Sequence, residues 1–247
     1  MPEDQPDILA LLSRDIHSDS SSPACLLVGA EWLKSCRETH PECAPQHKQS
    51  HLPSRVINVG DDSTNPFLHI SDPREVGSWV ALSYCWGGPS EFILTNGRLG
   101  EFQRGLPLDK FPRTIRDAIL VTRALGEKYL WVDALCILQP PFQGDTNPSQ
   151  DNKQRSDEDW AVEAPKMAEI YRNAVVTITA TASPSVKSGI LGKQEPSSSC
   201  RLSWRIPLGS PTGHTSSGVE AQQGSPVVYV SNEREPWEDV LAIKESH

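Results

Sequence analysis

The chain has 247 residues, 37% of them hydrophobic and 22% charged, and its 23 Lys+Arg against 32 Asp+Glu leave a formal net charge of −9. Such an acidic balance, with no cluster of Lys and Arg, argues against a nucleic-acid or anionic-membrane binder, because affinity for phosphates rests largely on clustered cations. No apolar run approaches the ~18–20 residues that span a bilayer, and the start Met1-Pro2-Glu3-Asp4 is acidic where a secretory or organellar leader is basic, so a cytoplasmic protein without a membrane span is expected. The six cysteines are too sparse for a disulfide scaffold, and Cys85 and Cys136, inside apolar segments, read as small buried hydrophobes.

Residues 1–24 join a short apolar patch, Ile8-Leu9-Ala10-Leu11-Leu12, to the linker-like Ser18-Asp19-Ser20-Ser21-Ser22-Pro23, and read as a flexible arm. A segment at 25–78 precedes the main domain. At Trp79 the pattern sharpens: Trp79-Val80-Ala81-Leu82-Ser83-Tyr84-Cys85-Trp86 is almost continuously apolar and closes on Gly87-Gly88-Pro89, as expected of a strand buried on both faces. Pro112 followed by Thr114-Ile115-Arg116-Asp117 predicts a helix start with a capping box, and Ile115, Ala118, Ile119, Thr122 and Leu125 carry the apolar face to a stop at Gly126.

A second apolar run, from Lys128 through Asp133 to Leu138, predicts another central strand. The polar, proline-containing stretch 140–157 has no periodicity and reads as a flexible insert. Trp160, Glu163, Met167, Ile170 and Tyr171 recur at helical spacing, and the β-branched run 174–182 predicts a third strand. Strand, helix, strand, helix, strand implies crossover connections: an α/β domain with a mainly parallel central sheet flanked by helices over 79–195. Residues 196–247 are rich in Ser, Gly and Pro and read as irregular, apart from a β-like run at 227–230 and a short helix at 237–244.

Several of these motifs resemble the fungal heterokaryon-incompatibility (HET) domain: Ala81-Leu82-Ser83-Tyr84-Cys85-Trp86-Gly87, Pro112-Arg113-Thr114-Ile115-Arg116-Asp117-Ala118-Ile119, Tyr129-Leu130-Trp131-Val132-Asp133-Ala134-Leu135-Cys136-Ile137-Leu138-Gln139, and Asp159-Trp160, Glu163, Met167 and Ile170-Tyr171-Arg172-Asn173-Ala174. Upstream, Trp32-Leu33 with Cys36, His40-Pro41 and Cys43, and Leu52-Pro53-Ser54-Arg55-Val56-Ile57, are similar to what precedes that domain. The resemblance implies an intracellular fungal protein of non-self recognition and programmed cell death, an innate-immune role played through protein partners and self-association. It also implies a TIR-like or flavodoxin-like three-layer fold, and through TIR domains an alternative activity, cleavage of NAD or a related nucleotide. The chain departs from the family pattern where Pro140-Pro141 follows Gln139 in place of acidic residues, and where no Arg-Gly-Trp and Gln-Glu segment follows the third strand, so it reads as a truncated or degenerate copy.

Candidate site residues follow from position. Asp133 is the one carboxylate inside the second apolar run, and the C-terminal ends of parallel strands are where open α/β sheets bind ligands; capping, or pairing with Arg116, is the structural alternative. Glu163 stands three residues after Trp160, on one helical face with an indole that stacks on a planar base; Pro165 places the helix start nearby, which makes Glu163 equally a cap. For NAD cleavage Glu163 and Asp133 are the catalytic candidates, since an anion stabilises oxocarbenium-like charge, and Ser83, Tyr84, Trp86, Gly87 and Trp160 are the ligand-binding candidates. That reading requires no cofactor beyond the substrate, and no metal. Cys36, His40 and Cys43 have a donor set suited to zinc, but their C-x3-H-x2-C spacing is not that of a zinc finger, and Pro41 and Pro45 break any common helix. Asp61-Asp62 and Asp157-Glu158-Asp159 read as solvated loop charges.

Overall fold

The computed structural model describes residues 19–41, 43, 50–141 and 150–193, and the backbone of two further strands. In chain order the elements are α1 (Pro23–Thr39), β1 (Ser50–His51), β2 (Arg55–Asn58), β3 (Phe67–Ile70), β4 (Val76–Gly77), β5 (Val80–Ser83), α2 (Leu99–Arg104), α3 (Arg113–Ala124), β6 (Tyr129–Trp131), α4 (Asp133–Cys136), α5 (Gln150–Glu163), α6 (Met167–Asn173), β7 (Val176–Thr179), β8 (Ser199–Ser203) and β9 (Val227–Ser231). They fall into two units. One contains residues 19–192, and the other contains β8 and β9, which pair antiparallel. The run at 227–230 is therefore a strand, while the helix expected at 237–244 lies outside the described residues.

The three expected strands are present and adjacent. The five-stranded sheet has the order β3-β2-β6-β5-β7, and β5 runs parallel to both β6 and β7, with Val80 opposite Leu130 on one side and Val176 on the other. These parallel neighbours require the long crossovers that the helices supply. The sheet as a whole is mixed rather than mainly parallel, because β2 runs antiparallel to both β6 and β3. The two extra strands come from the segment before Trp79. Val56 and Ile57 are fully buried there, yet a four-residue strand between Pro53 and Gly60-Asp61-Asp62 has the local composition of a loop. Gly60 makes the tight turn after β2: its φ is 62°, and a Cβ there would lie 2.1 Å from the Thr64 carbonyl oxygen.

The α3 helix follows its predicted face, with Ile115, Ala118 and Ile119 fully buried, Pro112 at the N-cap position and Gly126 at φ 76° after the end. Each buried isoleucine contributes about 1.5–3 kcal/mol by leaving water. The capping box is absent. Thr114 Oγ1 donates to the Ser185 carbonyl (3.1 Å), and Asp117 Oδ2 accepts from the backbone N–H groups of Ile190 (2.9 Å) and Leu191 (3.1 Å), so both side chains strap the chain after β7 onto α3.

Three further expectations are corrected. The run 128–138 is a strand only to Trp131 and then turns into α4, where the Val132 carbonyl accepts from Cys136 N (2.8 Å); an apolar run by itself does not separate strand from buried helix. The polar stretch 140–157 is helical from Gln150, with Asn152 and Ser156 buried, while 142–149 lie outside the described residues. Finally, part of the presumed arm is ordered: Ser22 caps α1 by accepting from Cys25 N (3.2 Å), and Ser20 N donates to the Gly192 carbonyl (3.0 Å). Residues 1–18 lie outside the described residues.

The core is one cluster around the sheet. Trp79 and Trp131 are its largest fully buried side chains, and each meets α6: Trp79 Nε1 donates to the Ile170 carbonyl (3.1 Å), and the Trp131 and Tyr171 rings meet edge to face with centroids 5.4 Å apart.

Candidate functional site

Asp133 stands two residues after the end of β6, at the C-terminal edge of the parallel strands, where the strand rule puts it. Its Oδ2 accepts from Trp86 Nε1 (3.1 Å) and its Oδ1 from Ala134 N (2.7 Å), and the Tyr84 hydroxyl adds a third hydrogen bond. Among the described residues no arginine pairs with it; Arg116 lies against Asp117 instead. All three donors to Asp133 are neutral. Burial therefore dominates and raises the Asp133 pKa above the ordinary carboxylate value, against the lowering effect of the Ala134, Trp86 and Tyr84 hydrogen bonds. Tyr171 belongs to the same cluster through its hydroxyl, which donates to the Leu82 carbonyl (3.1 Å); burial, then the Asp133 charge, pushes its pKa up to about 12. Burial and then Asp133 raise Tyr84 in the same way.

Just after β5 the chain packs against its own later segment. Gly87 has φ 75°, and a Cβ on it would lie 2.2 Å from the Ser185 Cβ and 2.9 Å from the Pro184 carbonyl oxygen. Val186 N donates to the Trp86 carbonyl (3.3 Å), and Ala180 N to the Ser83 carbonyl (2.9 Å). The close approach that glycine permits here is made by residues 184–185. Cys85 is exposed rather than buried, because β5 ends at Ser83 and the chain has already left the sheet; Cys136 is buried, and its thiol is pushed up to about 12 by that burial.

Glu163 lies elsewhere on the molecule's framework, at the last position of α5, followed by a 3₁₀ turn at Ala164–Lys166 and then α6. It is thus at a helix end and not at the N-terminal mouth that Pro165 suggested. Its carboxylate is buried and accepts from Ser54 Oγ (2.8 Å) and Lys166 Nζ (2.9 Å). Trp160 is exposed while Glu163 is buried, so the expected indole–carboxylate face does not form. Beside Ser54 and Lys166 is a cavity of about 190 Å³, also lined by Trp79, Glu169, Ile170 and Asn173; Asp133 is not on its wall. Pockets for small molecules usually measure about 300–1,000 Å³.

Arg55 and Asp159, which belong to the family-like motifs but which no local pattern marks as a pair, form an ion pair between β2 and α5. Arg55 Nη2 donates to both Asp159 oxygens (2.6 and 2.8 Å), Arg55 Nε donates to the Cys136 carbonyl (2.7 Å), and Leu138 N donates to Asp159 Oδ2 (2.8 Å). Asp159 is therefore an ion-pair partner inside a helix, not a solvated loop charge. Asp61, in contrast, is exposed and shapes its own turn by accepting from Ser63 N and Thr64 N, both at 2.8 Å. At the end of α1, Cys36, His40 and Cys43 come together, with all their donor atoms within 4.8 Å of one another.

Fold and site define an α/β protein with a mixed five-stranded sheet and, at its strand ends, one half-buried carboxylate, Asp133, among neutral hydrogen-bond donors. The model of the family described as heterokaryon incompatibility protein (HET) matches residues 79–241, more than half of the chain, and the chain belongs to that family. Its function is accordingly related to heterokaryon incompatibility. Compared with curated proteins and with solved structures, the chain finds no match. Among the described residues no helix is long and apolar enough to cross a membrane.

Proposed function

We propose that this chain is a cytoplasmic recognition and signalling module of heterokaryon incompatibility, acting in non-self recognition and a programmed cell-death response through protein partners and self-association. The observation that carries this reading is the closure of the strand ends. The groups that a nucleotide would need there are engaged internally: Trp86 with Asp133, and Gly87 with Pro184 and Ser185. On this reading β6, β5 and β7, whose order matches the first three strands of a flavodoxin-like sheet, are the TIR-like part of the fold. Leu27 and Trp32 on α1 and Trp160 and Val162 on α5 are exposed apolar side chains available to protein partners.

The test compares wild type with Glu163→Gln in a fungal host, scoring growth arrest, and follows the purified proteins by sedimentation over a range of concentrations. Both should arrest growth and both should form oligomers as concentration rises. A chain that stays monomeric and leaves growth unchanged overturns the proposal. Nicotinamide release from NAD that disappears in Glu163→Gln replaces it with the enzymatic reading.

A further inference from the structure

We infer that the C-terminal end of α1 is a zinc site built by Cys36, His40 and Cys43. Cys36 lies in the last turn of the helix. Four residues on, one helical turn later, His40 occupies the cap position, with its N–H donating to the Cys36 carbonyl (3.2 Å). Cys43 N then donates to the His40 carbonyl (3.1 Å), and this turn folds the second sulfur back over the helix end. The proline at 41 that rules out a common helix therefore does not separate the donors, because a turn does the work that a helix would otherwise do.

The result is two sulfurs and an imidazole nitrogen within 4.8 Å of one another. In a tetrahedral zinc site, with Zn–S near 2.3 Å and Zn–N near 2.0–2.1 Å, neighbouring donors stand roughly 3.5–3.8 Å apart, so closure asks for side-chain movements of about 1 Å. The two cysteines are half-buried, His40 is exposed, and no disulfide joins the cysteines.

Charge and softness select the ion. Two thiolates offset a dication, and the helix C-terminus adds its partial negative charge at the same place. Sulfur and imidazole suit zinc and exclude magnesium or calcium, which take oxygen ligands. The helix end is also held firmly. Leu33 is buried, and Arg37, next to Cys36, pairs with Glu127, which in turn accepts from Ser78 Oγ (2.7 Å). The three donors found among the described residues leave one position of the tetrahedron for water or a further ligand. The site's role is to hold the turn that follows α1.

The experiment uses the full chain purified without added zinc, with metal content read by mass spectrometry. Wild type should carry about one zinc per chain, and Cys36→Ser combined with Cys43→Ser less than about a tenth of that. Because the double variant has the potential to misfold, metal-stripped wild type is also titrated with Co(II). Tetrahedral d–d bands together with thiolate-to-cobalt charge transfer are expected, with the d–d bands altered in His40→Ala, and zinc added to the stripped chain should release about two protons as the thiols ionise. Wild type with less than about a tenth of a zinc per chain, or a cobalt spectrum without thiolate charge transfer, overturns the assignment.

Discussion

Asp133 is half-buried and Glu163 buried, and the chain gives the two carboxylates different kinds of partner. Asp133 is answered by an indole, a phenol and a backbone amide, none of which carries charge, so desolvation prevails and its proton is held more tightly. Glu163 is answered by a hydroxyl and by the Lys166 ammonium, which offsets its charge directly. Burial alone thus does not fix the electrostatic surroundings of a carboxylate; the kind of partner does. The first arrangement stores an unfavourable charge among strand ends covered by residues 184–186, and the second closes a helix junction.

The contrast is broken most severely at the pair that links the two regions. Replacing Arg55 by alanine leaves Asp159 charged and mostly buried, and should cost about 3–4 kcal/mol in urea unfolding. Arg55→Lys should recover only part of this, because one ammonium cannot meet Asp159 and the Cys136 carbonyl as the separate Nη2 and Nε donors of the guanidinium do. Next comes Gly87→Ala, which forces a side chain into a positive φ and onto Ser185, at a cost of about 2–3 kcal/mol. Gly88→Ala is the control. Its φ is 121° but its Cβ meets nothing within 4 Å, so the strain alone remains, about 1 kcal/mol.

Asp133→Asn sharpens the comparison through pH. The folded-state pKa is raised, so the native chain binds its proton more strongly than the unfolded chain. The stability due to this group is fully present below the unfolded carboxylate value and is lost as pH rises through the raised one. The cost of Asp133→Asn, within about 1–2 kcal/mol, should therefore be larger near pH 4 than at pH 7. Unfolding of wild type and variant at the two pH values measures it; a cost that grows with pH contradicts the desolvation account. Glu163→Gln should have the smallest effect, below about 1 kcal/mol, because it keeps the Ser54 contact and Lys166 is 46% exposed.

Much of the central fold was legible along the chain. The Val80 and Val175 runs, and the Ile115–Ala118–Ile119 stripe before Gly126, follow periods that local geometry imposes, and they lie where those periods put them. Asp133 at a strand end was legible for the same reason, since a single acid in an apolar run has few ways to be placed. The pairing of Arg55 was not, because its partners, Cys136 and Asp159, are distant in sequence and nothing near it signals them. Likewise the polar face of α5 read as a loop because its helix is fixed by contacts such as the Asn96–Asn152 hydrogen bond (2.7 Å) and not by an apolar stripe.

The sequence by itself determined the family, the three parallel strands, the α3 helix and the local C-x3-H-x2-C triad, since each depends on residues only a few positions apart. Tertiary structure alone decided that β2 and β3 complete a mixed sheet, that residues 184–185 fill the space beside Gly87, and that Asp133 and Glu163 receive different partners. Those outcomes depend on groups that meet only when distant segments fold together, and no local period encodes such meetings.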